Sequence, residues 1–190
     1  MFALKKKYYL IIESIKDINL ENIKKHKKFV IIYRNRKNSE SRERLLKFRR
    51  SCKLKSISFY VANDLKLAVS LNSDGIYLSG YNRSFKALFL RNFKFDIIGS
   101  AHSKKEIFMK LNQGCKNVIF SKLFVVDYDK KRSFLGVVKF NKFLETNKNL
   151  IPLGGIRLSN LNSLKTVSSN GFAIMSELKK KPAKIINRLF

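Results

Sequence analysis

The chain of 190 residues contains no tryptophan and little proline (2), cysteine (2), histidine (2) or glycine (8). Each shortage excludes something. Cys52 and Cys115 have no C-x-x-C spacing and no histidine neighbour, which excludes a disulfide framework and a zinc finger. They suit a reducing compartment, as small core residues. Linkers and low-complexity blocks are missing too, so residues 1–190 read as one domain, long enough to bury a core. No apolar run approaches the length of a membrane span. The start, MFALKKKYYLIIESIKD, is basic, but its apolar run breaks at Glu13 without a small-residue cleavage site. It reads as a strand rather than a signal peptide, and the expected location is cytoplasmic. Acidic residues are scarce as well. Lys+Arg number 41 against 13 Asp+Glu, a net charge of +28. Such a field attracts polyanions, yet the lysines are spread over the whole chain and read mainly as solvated faces.

The sequence does hold 45% hydrophobic residues in short, β-branched and aromatic runs. Eight are strand candidates: Lys7–Glu13, Lys28–Arg34, Ser56–Ala62, Gly75–Leu78, Phe95–Ser100, Asn117–Phe124, Asn149–Leu153 and Gly171–Ser176. Most are apolar nearly throughout, the mark of parallel strands covered on both faces. Segments with helical spacing lie between them: Asn19–Lys27, Ser39–Cys52, Asp64–Leu71, Ser103–Leu111 (a Ser N-cap with Glu106 three residues on) and Ser159–Val167. A basic helix closes the chain from Glu177. The alternation predicts an α/β fold, a small single-domain (β/α)8 TIM barrel. In so short a chain the helices after strands four and six must be brief or irregular. An open doubly wound sheet is the second architecture.

In so glycine-poor a chain, the adjacent pair Gly154-Gly155 ends the seventh strand candidate, and Ser176 ends the eighth. Barrels of this kind often hold a phosphate on the loops after strands seven and eight. Glycine lets an anion approach backbone N–H groups, and the helix start near Ser159 adds more. The pair therefore reads as a phosphate cradle, in preference to a tight turn alone.

Four further stretches carry a resemblance. These are NDLKLAVSLNSDGIYLS (Asn63–Ser79), IIGSAHS (Ile97–Ser103), LGGI (Leu153–Ile156) and GFAIMSEL (Gly171–Leu178). In this order, on these strand ends, the chain from Tyr8 to Leu178 resembles the thiamine phosphate synthase family and its TenI-like thiazole tautomerase relatives, a (β/α)8 family. The resemblance implies a transferase that couples a pyrimidinylmethyl diphosphate to a thiazole phosphate, releasing pyrophosphate, with magnesium. It implies roles residue by residue. At the end of strand two Arg34 matches the family's diphosphate-binding arginine, Arg36 stands for its lysine, and its glutamine is absent. The magnesium carboxylate after strand three matches Asp64, or Asn63 if the alignment slips by one. A second carboxylate, after strand four, is replaced by Asn82. Ser100 and His102 match a pyrimidine-side serine and a nearby histidine. In the loop after strand six only Lys130 matches, with Lys122, Lys131 and Arg132 as extra cations. Gly154, Gly155, Met175 and Ser176 match the thiazole-phosphate cradle.

The expected partners are small phosphorylated substrates. Coupling is the first reading. A tautomerase or a non-coupling binder of phosphate ligands is the alternative. Nucleic-acid binding is the remote one, since no RRM, KH, C2H2 or helix-turn-helix pattern accompanies the charge. A membrane is not expected as a partner, and an oligomer stays open.

Overall fold

The computed structural model describes residues 7–23, 26–35, 40–93, 95–127 and 133–189. Eight strands are present: β1 Lys7–Ile12, β2 Phe29–Tyr33, β3 Ser58–Ala62, β4 Gly75–Leu78, β5 Asp96–Ala101, β6 Asn117–Ser121, β7 Leu150–Leu153 and β8 Gly171–Ile174. All pair in parallel, in the order β7-β6-β5-β4-β3-β2-β1-β8. β7 and β8 then lie side by side, which brings the sheet round into a nearly closed barrel. This is the (β/α)8 expectation; an open doubly wound sheet does not bring its two edges together.

Alternation along each strand sorts the side chains into two cores. One set fills the barrel: Tyr9 and Ile11, Val30 and Ile32, Tyr60, Tyr77, Ile98, Ile119, Ile151 and Ala173. The intervening residues point outward and meet the helices, as Tyr8, Leu10 and Ile12 of β1 do. Burial on both faces is why the strands carry almost no polar residue. At the N-terminal end the Tyr60 hydroxyl donates to Asp96 Oδ2 at 3.0 Å, closing the floor with a satisfied polar group.

The helices are α1 Arg42–Leu54, α2 Leu65–Ser70, α3 Lys104–Asn112, α4 Gly136–Thr146, α5 Ser176–Lys180 and α6 Pro182–Arg188. Several starts follow ordinary capping chemistry. The side chains of Ser41, Asp64 and Ser103 each accept a backbone N–H of the first turn. Glu106 reaches back to the His102 N–H at 2.9 Å, one residue beyond the usual capping box.

Four helix expectations need correction. The segment after β6 is not irregular: α4 runs for 11 residues and buries Phe140 and Leu144. Asn19–Lys27 is not one helix; Asn19 caps a single 3-10 turn, Leu20–Asn22, and another turn follows at His26–Lys28. Ser159 does not start its element. A 3-10 stretch, Leu158–Thr166, begins after Arg157, whose N–H is taken by the Asn160 side chain. The closing helix begins at Ser176 and is broken in two, because Pro182 cannot donate an N–H to continue α5. After β4 the connection is indeed irregular, a 3-10 stretch at Lys86–Phe93.

Candidate active site

The residue two beyond the last inward-facing one on a strand faces the barrel mouth. Counting from Ile32 gives Arg34. From Tyr77 it gives Ser79, from Ile98 Ser100, from Ile119 Ser121, and from Ala173 Met175. All of these line one cavity of about 550 Å³ at the C-terminal ends of the strands, together with His102, Arg83 and Gly154. Arg34, half-buried, is tied down by its own N–H, which donates to the Ile12 carbonyl at 2.7 Å. Buried Ser100 lies beside the Tyr77 hydroxyl. Burial pushes that phenol up, and the nearby Arg34 partly opposes it. His102 Nδ1 and Ser121 Oγ share a hydrogen bond of 2.8 Å. The imidazole is thereby oriented by the neighbouring strand, leaving its other nitrogen for chemistry.

A smaller recess, about 80 Å³, adjoins this cavity and shares Leu153, Gly154 and Met175 with it. By volume it holds a few waters or one phosphoryl group. Its walls include the β7 end (Gly154, Gly155), the β8 end (Met175, Ser176), Arg157, Lys180 and Glu177, whose Oε1 accepts the Leu158 N–H at 3.4 Å. The glycine pair has a packing reason of its own. Both residues have positive φ, +101° and +66°. A Cβ on Gly155 would lie 2.3 Å from the Val125 carbonyl oxygen and 2.6 Å from the Phe124 carbonyl carbon. The Gly154 carbonyl accepts from the Phe124 N–H (3.0 Å) and the Gly155 carbonyl from the Asn160 amide (2.7 Å). The loop after β6 is therefore laid against the pair, and the carbonyl side of the turn is already committed. Asp127 also reaches the recess, accepting from Arg157 and, at 2.9 Å, from Lys180.

The suggested metal ligands serve other purposes. Asn63, in the left-handed region at φ +61°, accepts three hydrogen bonds on one oxygen. They come from the Ser79 N–H (3.0 Å), Ser79 Oγ (3.1 Å) and Asn82 Nδ2 (3.1 Å). Asn82 Oδ1 accepts from the Ser84 N–H at 2.9 Å. Asp64 Oδ1 caps α2 through the Leu67 N–H at 2.9 Å, and Asp64 lines side clefts rather than the central cavity. Among the described residues no three Asp, Glu, His or Cys side chains gather as a metal would require. A hard dication wants several carboxylate or carbonyl oxygens with spare lone pairs. These donors do not fit it.

The structure thus brings Arg34, Ser100, His102, Gly154 and Met175 into one cavity, and Gly154, Gly155, Met175 and Ser176 into the other. It sets Asn63, Asp64 and Asn82 outside both. Arg36, Lys130, Lys131 and Arg132 lie outside the described residues. Sequence reading missed Tyr77, Ser121, Arg83, Arg157, Lys180 and Asp127. The first two follow from the same alternation that gives Arg34 and Ser100. The others are loop or helix residues without a local signal.

The family model for thiamine monophosphate synthase matches residues 9–178. Two thiamine-phosphate synthases of Prochlorococcus marinus strains are each 26% identical, one over 174 residues and one over 129. The matches take in 88% and 67% of this chain but 48% and 37% of those proteins, so the chain spans half their length or less. Among solved structures, the thiamine phosphate pyrophosphorylase of Pyrococcus furiosus superposes with a TM-score of 0.70 at 17% identity, covering 97% of this chain and 98% of that one. KGPDC from Streptococcus mutans gives 0.64 at 10%, with 97% coverage of both. These two likenesses speak for the fold.

Proposed function

Since the chain belongs to the thiamine monophosphate synthase family, we propose that it couples 4-amino-2-methyl-5-pyrimidinylmethyl diphosphate to a thiazole phosphate, giving thiamine phosphate and pyrophosphate. The observation that carries this reading is the pairing of two cavities. A recess sized for one phosphoryl group adjoins a larger cavity across a shared wall of Leu153, Gly154 and Met175.

In this scheme the thiazole phosphate sits in the recess against the Gly154-Gly155 turn and Ser176, near Arg157 and Lys180. The pyrimidine sits deeper, toward Ser100 and Tyr77, with its diphosphate toward Arg34. The carbon–oxygen bond breaks with its electron pair leaving on pyrophosphate. The thiazole nitrogen then donates its lone pair to the pyrimidinylmethyl cation. Little covalent chemistry is asked of the protein. Its contribution is to hold the nitrogen in line with the carbon and to stabilise the charge on the leaving group.

The hydrogen bond between His102 and Ser121 favours a second reading, proton transfer on the thiazole phosphate alone, since an oriented imidazole is a general acid and base. One assay separates the two. Purified protein is given both substrates, and thiamine phosphate is measured against an Arg34→Ala, Ser176→Ala double variant. Product above that variant supports coupling. No product with thiazole phosphate still bound supports the second reading.

A further inference from the structure

The loop after β4 is fixed from both sides. On the barrel side, Asn63 gathers Ser79 and Asn82 on one oxygen, and its amide donates to the Tyr81 hydroxyl at 3.2 Å. On the outer side, α3 supplies Lys110 and its C-cap supplies Gln113, both with no exposed surface. Lys110 Nζ donates to the Asn82 carbonyl at 2.7 Å and to Gln113 Oε1 at 2.8 Å. Gln113 Nε2 donates to the Ser84 carbonyl at 2.8 Å and to that of Asn82 at 3.1 Å. A buried ammonium is tolerated only when its hydrogens are taken, so the loop cannot leave without stranding it.

Arg83 lies between these two anchors. It is exposed and lines the central cavity with Arg34. The hydrogen-bond partner shown for its guanidinium is Met109 Sδ, at 3.0 Å, a weak acceptor that a ligand displaces at little cost. Of the residues lining this cavity, Glu106 is the sole carboxylate, against two guanidinium groups. One of its oxygens already accepts the His102 N–H. Guanidinium presents a planar fork that matches phosphate oxygens two at a time.

Building on the proposed coupling reading, we infer that this mouth binds a diphosphate without a divalent cation, with Arg34 and Arg83 neutralising it and Lys110 acting as a positioning residue for the Arg83 loop. An asparagine hub and a buried ammonium hold the loop here, and the charge is met by two arginines.

The test is calorimetric titration of the full chain with inorganic pyrophosphate, in EDTA and again in magnesium. Binding in EDTA is expected. Arg83→Ala and Arg34→Ala should each weaken it about tenfold or more, the loss of charge-assisted contacts. Arg83→Lys should fall between wild type and Arg83→Ala. Ser176→Ala, in the other recess, should leave it within about twofold. Circular dichroism melts confirm that each variant is folded. Three results overturn the inference: binding that needs magnesium, no binding in either buffer, or an Arg83→Ala variant as tight as wild type. Coupling assayed on the same samples separates this from the broader reading. Metal-free, Arg83-dependent binding without coupling removes the reading and keeps the site. Coupling with magnesium-dependent binding does the reverse.

Discussion

Gly155→Ala separates two costs that are usually confounded. The new methyl group meets a left-handed backbone, φ +66°, and the Val125 carbonyl oxygen of the loop after β6 at 2.3 Å. The backbone cost is about 1–2 kcal/mol. Overpacking against backbone atoms adds about 1–3 kcal/mol, because the Val125 carbonyl cannot rotate aside as a side chain does. A stiffer unfolded chain returns about 0.4–1 kcal/mol. The net expectation is a loss of about 3 kcal/mol, or about 10 °C in Tm for a domain of this size. Gly136→Ala is the control. Its φ is +68°, but the nearest atom to a new Cβ is Phe134 Cε2 at 4.0 Å, so only the backbone cost applies, about 1 kcal/mol net. Urea unfolding of the three proteins measures the difference. If Gly155→Ala is no worse than Gly136→Ala, the loop after β6 is not pressed onto the glycine pair, and the account of that turn is wrong.

Asp127→Asn should tighten thiazole phosphate binding about two- to fivefold, because it removes a carboxylate from Arg157 and Lys180 at an exposed site; weaker binding by calorimetry would contradict this. Burial pushes both thiols, Cys52 and Cys115, from an ordinary value of 9.0 up to about 12. Neither should be alkylated by iodoacetamide at pH 8.5 in the folded protein, and both should be in urea, as mass spectrometry will report. The same shifts fix a sign. The folded state keeps its thiol protons above pH 9, where the unfolded state loses them, so stability falls as pH rises from about 9 toward about 12. The slope is at most about 1.4 kcal/mol per pH unit for each thiol. Lys110→Met should cost about 1–3 kcal/mol by leaving Gln113 Oε1 unpaired and should speed hydrogen exchange of amides 79–84; unchanged exchange would show that the clamp does not hold the loop.

All eight strands were legible in the sequence, since a barrel strand covered on both faces needs an unbroken apolar run and few other structures do. Their ends were less so. Phe124 extends the sixth run in sequence, but the chain turns at Ser121 to lay Phe124 and Val125 over the glycine pair. α4 went unseen because GVVKFNKFLET starts with glycine and two valines, poor helix formers; its packing against the barrel through Phe140 outweighs propensity. In the site, Arg34 and Met175 were named from the resemblance, and strand alternation from Ile32 and Ala173 places both at the mouth. Partnerships across the barrel could not be read in either way. His102 meets Ser121 only through the β5–β6 register, and Asp127 meets Arg157 and Lys180 from 30 and 53 residues away. The locked asparagines at 63 and 82 were visible as residues, but not as partners.

β8 joins the sheet through β1 alone, and among the described residues no ladder links it to β7. The small recess opens on that seam, with Gly154 and Gly155 on one bank and Met175 and Ser176 on the other. An anion gripped from both banks acts as a buckle on a belt. Its binding energy becomes cohesion of the ring, growing with the logarithm of its concentration. On the proposed reading, the last strand, which already packs against β7 without a ladder, gains a second tie whenever the recess is filled.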